Sequence, residues 1–347
     1  MHNNFMKHFI VGLIIFSNFS FGKEFDELFT IYEPIENSSN IEKSINSSFN
    51  NIVYRLSGSN SPSNIWKIIN SGVTRKDFII SYSIKNIDDL SYLQVIFNQD
   101  FLISKFNELS IPVVGYSRPV IFFLIEIDSG SVSPYFLSAD QSKNKIDNTF
   151  KSVLNSISKN RGIFLEIPVF DLQDRQTLSN MNILSSPSEY ISSKYEFDEL
   201  VKIKLTNLGL DNWEITGDIK STLNSESLKN DLKKIFLEYV QSIADKKLTD
   251  LKINTNTSVD AYVSISGIAS YKDYIDSRDR LSKFIGISSI EILSLKNNII
   301  TYQIKTLGDM NSLINEIQNN SFLHITDSDS SKISIEYKKL SLIHISE

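Results

Sequence analysis

The polar side chains best placed for chemistry flank two predicted strands. Asp171-x-x-Asp174-Arg175 follows Pro168-Val169-Phe170, at the expected C-terminal end of a strand. Carboxylates there could bind a cation or act as general acid and base. Arg118-Pro119 stands before the apolar run Pro119–Ile127. An arginine at that point could hold a carboxylate in a two-pronged pair or receive an anionic ligand. Both motifs flank strands expected to be neighbours, so Asp171 and Asp174 are candidate partners of Arg118. Arg118, Asp171, Asp174 and Arg175 thus form one candidate polar cluster with two readings. The structural reading is a capped turn with an ion pair. The functional reading is a ligand site, or a hydrolase site built on Arg118, Asp171 and Asp174. Two carboxylates are few for a calcium cage, and the structural reading is the expectation.

The remaining chemistry is thin. There is no Cys, which excludes disulfides, thiol nucleophiles and thiolate metal sites. The four His are His2, His8, His324 and His344, too few and too scattered for a metal centre or a catalytic triad. No dinucleotide fingerprint, P-loop or nucleophile elbow occurs. Ser142-x-x-Lys145 and Ser156-x-x-Lys159 match a fragment of a Ser/Lys hydrolase pattern without its companion motifs. No catalytic residue, cofactor or metal is expected.

These residues must be positioned by a substantial fold. The 347 residues are 41% hydrophobic and 22% charged, a globular composition with room for two or three domains. The net charge of −6 gives no footprint for nucleic acid. Three blocks follow from the hydrophobic patterning, and together they predict a multi-domain α+β fold of mixed sheets and packed helices. Residues 23–110 read as an α+β block, with a helix carrying Ile41, Ile45, Phe49, Ile52, Val53 and Leu56 on one stripe, opened by a Ser39/Glu42 capping box. Residues 111–250 read as an α/β block. Its run Pro119–Ile127 is a central strand covered on both faces. Its helices are expected over Lys145–Asn160, stopped by Gly162, and over Ser225–Lys246. Residues 251–347 read as β-α-β-β-α-β, a ferredoxin-like arrangement. Trp66 and Trp213 are expected in the core or at an interface.

Residues 1–22 have the form of a secretory signal peptide. Lys7 is the positive n-region, Phe9–Phe16 the apolar h-region, and Ser20 and Gly22 the small residues before a cut at Lys23. The apolar stretch is short against the roughly 20 residues of a bilayer span. Later in the chain, Leu109–Ile127 contains two prolines, Arg118 and Glu126, so no stable span is expected after cleavage.

Several motifs in combination resemble a known family. They are Leu93-Gln94-Val95-Ile96-Phe97 with the helix after it, Ile111-Pro112, Arg118-Pro119-Val120-Ile121-Phe122-Phe123-Leu124, Arg161-Gly162-Ile163-Phe164-Leu165 and Pro168-Val169-Phe170-Asp171-Leu172-Gln173-Asp174. Leu56-Ser57-Gly58 and Trp213-Glu214-Ile215 fit as well. The pattern resembles the bacterial domain of unknown function family 2066, exported proteins of Gram-negative bacteria, over most of the first two blocks. Phe122 and Phe123 stand where that family usually has a Trp, which argues against a stacking site there. The resemblance implies export and no transferable catalytic residue. The element order of the second block is similar to periplasmic domains of the Tol, curli-secretion and flagellar-ring systems, a likeness of fold only. The expectation is a periplasmic, non-catalytic interaction or assembly factor whose partners are envelope proteins or cell-wall components. The alternative is a periplasmic ligand-binding protein or hydrolase.

Overall fold

A computed structural model describes residues 22–35, 41–87, 90–180, 187–209, 212–224, 227–318, 320 and 322–338. The signal-like segment up to residue 21, the expected cap Ser39 and His344 lie outside them. The architecture is α+β with mixed sheets, as the patterning implies.

The chain opens with β1 (Lys23–Glu24), β2 (Thr30–Pro34), α1 (Ile41–Ser57), α2 (Ser63–Asn70), β3 (Ile79–Ile87), β4 (Leu90–Phe97) and α3 (Gln99–Glu108). Strand β4 lies between β2 and β3, antiparallel to both. The α1 stripe of Ile45, Phe49, Ile52, Val53 and Leu56 is buried against Leu93 and Val95 of β4. On α2, Ile65 and Ile68 turn inward and leave Trp66 on the outer face, 60% exposed. Of the two placements expected for Trp66, core or interface, this removes the core, whereas Trp213 is buried.

The second block holds β5 (Val113–Val114), β6 (Ser117–Arg118), β7 (Val120–Asp128), β8 (Tyr135–Phe136), α4 (Lys145–Arg161), β9 (Phe164–Glu166), α5 (Leu172–Asn180), α6 (Pro187–Lys194), β10 (Glu199–Gly209), β11 (Asn212–Gly217), β12 (Ser221–Asn224) and α7 (Leu228–Asp250). Strand β7 explains its own apolar sequence, since both faces are covered. Ile121, Phe123, Ile125 and Ile127 join the core made with α4 and α7, while Phe122 and Leu124 meet Ile191 of α6 on the opposite face. β9 and β10 flank β7 and run parallel to it. β8 pairs antiparallel with the end of β7. β11 and β12 extend the sheet beyond β10. The connection from β7 to β9 crosses one face through α4, and that from β9 to β10 crosses the other through α5 and α6. The C-terminal ends of β7 and β9 are therefore a topological switch point.

The last block is β13 (Lys252–Ile253), β14 (Asp260–Ser266), α8 (Tyr271–Lys283), β15 (Ile287–Lys296), β16 (Ile299–Thr306), α9 (Met310–Gln318), β17 (Leu323–Ser328) and β18 (Lys332–Tyr337). Its sheet order is β15-β16-β14-β18-β17. The split β-α-β of β14, α8 and β15 around β16 is present. The ferredoxin-like expectation departs at the last hairpin, because β18 inserts beside β14, in parallel, and moves β17 to the edge. Burial gives the reason. β18 buries Ile333, Ile335 and Tyr337 in alternation, whereas β17 buries only Leu323. The more apolar strand takes the inner position.

The segments between blocks also pair with each other. β1 pairs with β6, and β13 with β5. Ile253, Ile285 and Leu307 of the last block join the core of the first. Helix α4 reaches this junction at its C-terminus, where Gly162 has φ 66°. A Cβ on Gly162 would lie 2.7 Å from Cγ and Cδ of Arg55. Gly162→Ala should lower the unfolding free energy by about 2 kcal/mol or more, from the left-handed backbone cost and the displaced arginine. Urea unfolding followed by circular dichroism measures it, and an unchanged midpoint would contradict the close approach.

Candidate functional site

The four residues of the expected cluster separate into two places. Arg118 is fully buried and meets neither Asp171 nor Asp174. Its Nε donates to the Gly115 carbonyl at 2.8 Å, and its Nη1 and Nη2 donate to the carbonyls of Arg55 and Val114, each at 2.9 Å. The expected pairing with the aspartates is thus corrected, and strand direction gives the reason. Arg118 precedes the N-terminal end of β7, while Asp171 and Asp174 follow the C-terminal end of β9. β7 and β9 run parallel, so motifs before one and after the other fall at opposite ends of the sheet.

Asp171 and Asp174 form a reciprocal cap at the start of α5. The Asp171 N–H donates to Asp174 at 2.9 Å, and the Asp174 N–H donates to Asp171 at 2.7 Å. Asp174, 1% exposed, also accepts from Tyr190 and, at 2.5 Å, from Lys194, both on α6. Burial opposes ionisation of Asp174, but the hydrogen bonds from Lys194, Tyr190 and the Asp171 N–H outweigh it and hold the carboxyl at about 2. This arrangement pins α5 to α6. Arg175 donates to the Phe170 carbonyl at 2.8 Å and stands 3.8 Å from Asp140.

Around Arg118 lies a second centre that sequence reasoning did not anticipate. Arg55 (α1) and Arg161 (α4) are buried with it. Arg55 donates to the carbonyls of Glu27, Leu28 and Thr30 and to those of Lys159 and Asn160 at the end of α4. Arg161 donates to the Tyr54 carbonyl near the end of α1 and pairs with Asp245 of α7. The cations meet the negative ends of two helices, where unpaired carbonyls need donors. Burial pushes all three guanidinium groups down from the ordinary arginine value, and Arg55 and Arg161 add repulsion at Arg118. Glu316 of α9 approaches from the last block. Its carboxyl accepts from the Ile285 and Gly286 N–H groups at 3.1 and 2.9 Å. Burial pushes Glu316 up to about 7, against those hydrogen bonds, one from the Tyr116 N–H, and the attraction of Arg118. The basic last turns of α1 and α4 were the only sequence signal of this centre.

A crevice of about 440 Å³ opens at the switch point, and its lining includes Tyr135, Phe136, Lys143, Asp147, Phe170 and Arg175. Of the expected cluster, Arg175 alone lines it. Tyr135 donates to Asp147 at 2.8 Å, and burial, then that bond, pushes its phenol up. Ser142 accepts from Lys151, not from Lys145, and His324 is exposed on β17. Among the described residues no group of three or more His, Asp or Glu could hold a metal ion, and no helix is long and apolar enough to cross a membrane.

No family model, curated protein or solved structure matches the chain.

Two expectations follow. Arg118→Lys should cost about 3–5 kcal/mol of unfolding free energy, because an ammonium cannot serve three carbonyls set for a planar fork and leaves buried acceptors unpaired; a loss under 1 kcal/mol in urea titration would refute this. Asp174 has its carboxyl lowered on folding, so its contribution is complete above about pH 4 and fades as pH falls through about 2. The gap in urea midpoint between wild type and Asp174→Asn should therefore narrow from pH 5 to pH 2.5, and a constant gap would contradict it.

Proposed function

We propose that this chain is an exported, periplasmic, non-catalytic binding component of the cell envelope that engages a protein partner through an open sheet edge. The observation that carries the reading is strand β3. It is an edge strand of nine residues whose one charge is Lys85. Ile80, Tyr82 and Ile84 on it are 65%, 54% and 53% exposed. Tyr82 and Ile84 stand opposite Val95 and Leu93, so they extend the buried face of the sheet beyond its cover. Native edges are usually blunted by charge, proline or a covering element. An edge left apolar and open suits an added strand from another protein, with the main chain giving affinity and the alternate side chains giving selectivity.

The signal-like residues 1–22 and the resemblance to exported proteins support the compartment. A cell-wall polymer is the less favoured partner, because Ile80 and Ile84 offer a sugar no hydrogen bond and Tyr82 offers one hydroxyl. The alternative of a hydrolase on Arg118, Asp171 and Asp174 loses its footing, since those residues do not converge.

In-cell photocrosslinking tests the reading. A photoreactive amino acid at Tyr82 should give an adduct with a defined envelope protein, and one at Tyr271, exposed on α8, should not. The recovered chain should begin at Lys23. Adducts equal at both positions, or a chain retaining residues 1–22, would overturn the proposal.

A further inference from the structure

The crevice at the switch point has the composition of a small-molecule site. Its volume of about 440 Å³ falls in the range of ligand pockets. Phe136 and Phe170 line it with ring centroids 6.4 Å apart, and Leu178 adds an aliphatic wall. Lys143 and Arg175 bring two cations. The Lys143 ammonium lies 4.1 Å over the Tyr135 ring, with its charge held at the wall by the aromatic face. The lining carboxylate is committed elsewhere. Asp147 is 1% exposed, and its oxygens accept from the Tyr135 hydroxyl at 2.8 Å and the Lys143 N–H at 2.7 Å.

We infer that this crevice binds a small aromatic monocarboxylate, with its ring against Phe136, Phe170 and Leu178 and its carboxylate drawn to Lys143 and Arg175. The aromatic walls select a flat apolar body. Asp140, 3.8 Å from Arg175, limits the surplus positive charge and favours one negative charge over the two of a phosphate. The site lies between the two connections that leave the C-terminal ends of β7 and β9, and residues of both line it. It shares no residue with the β3 edge, so each proposal can fail without the other.

Calorimetric titration of residues 23–347 with 2-naphthoate and its neutral isostere 2-naphthamide tests the inference. The expected result is saturable one-to-one binding of the naphthoate, at least tenfold tighter than the amide. Lys143→Ala and Arg175→Ala, both at exposed side chains, should each weaken the naphthoate at least fivefold. Leu178→Trp, which fills the crevice, should abolish binding while circular dichroism stays native. No saturable heat at millimolar naphthoate, equal affinity for the amide, or wild-type binding by any of the three variants would overturn it.

Discussion

Three buried arginine cations, held almost wholly by main-chain carbonyls, are the constraint on which the rest of this structure depends. A cation removed from water loses several kcal/mol of hydration, so each must find compensation inside the fold. Arg55 finds it in five carbonyls drawn from the β2 approach and the end of α4. Arg118 finds it in the turn before β6 and in the carbonyl of Arg55 itself. Arg161 finds most of it in the Tyr54 carbonyl and in Asp245, while its Nε stays without a hydrogen-bond partner. The compensation works only when the first block, α4 and the 113–118 segment are all in place. Each cation then fixes the geometry of an element that did not supply it.

Glu316 extends the same logic to the last block. Its carboxyl fits because Gly115 has no side chain; a Cβ there would lie 2.0 Å from Oε1. The short pairs β1–β6 and β13–β5 are too small to hold blocks together by themselves. The polar centre they enclose supplies the specificity, in the sense that any other docking would leave buried charges unpaired. The three cores thus meet at one junction.

The sequence was most legible where one periodicity answered to one environment. The stripe of α1, the doubly covered β7 and the stop at Gly162 followed from local rules, and they are there. Trp66 stays out of the core because its neighbours Ile65 and Ile68 already fill the inward face of α2. The last hairpin misled because sheet order is set by which strand buries more, a comparison between β17 and β18 that neither strand states alone. The Arg118 cluster misled for a topological reason. Adjacency of strands was inferred, but direction decides whether the motifs at their ends meet, and a parallel pair places them apart. Arg55, Arg161 and Glu316 carried no motif because their partners are backbone groups, which every residue has.

The burial of the charge also bears on where function can reside. The guanidinium groups are buried and bonded to main-chain carbonyls and Asp245, so access to them would require opening the junction. Asp174 is likewise spent, between a helix cap and Lys194. The groups that the two proposals use are at the surface: the edge strand β3 and the rim cations Lys143 and Arg175 beside aromatic walls. The strongest electrostatics of the molecule therefore serve architecture, and both proposals place recognition on weaker, exposed groups that can exchange water for a partner without dismantling the fold.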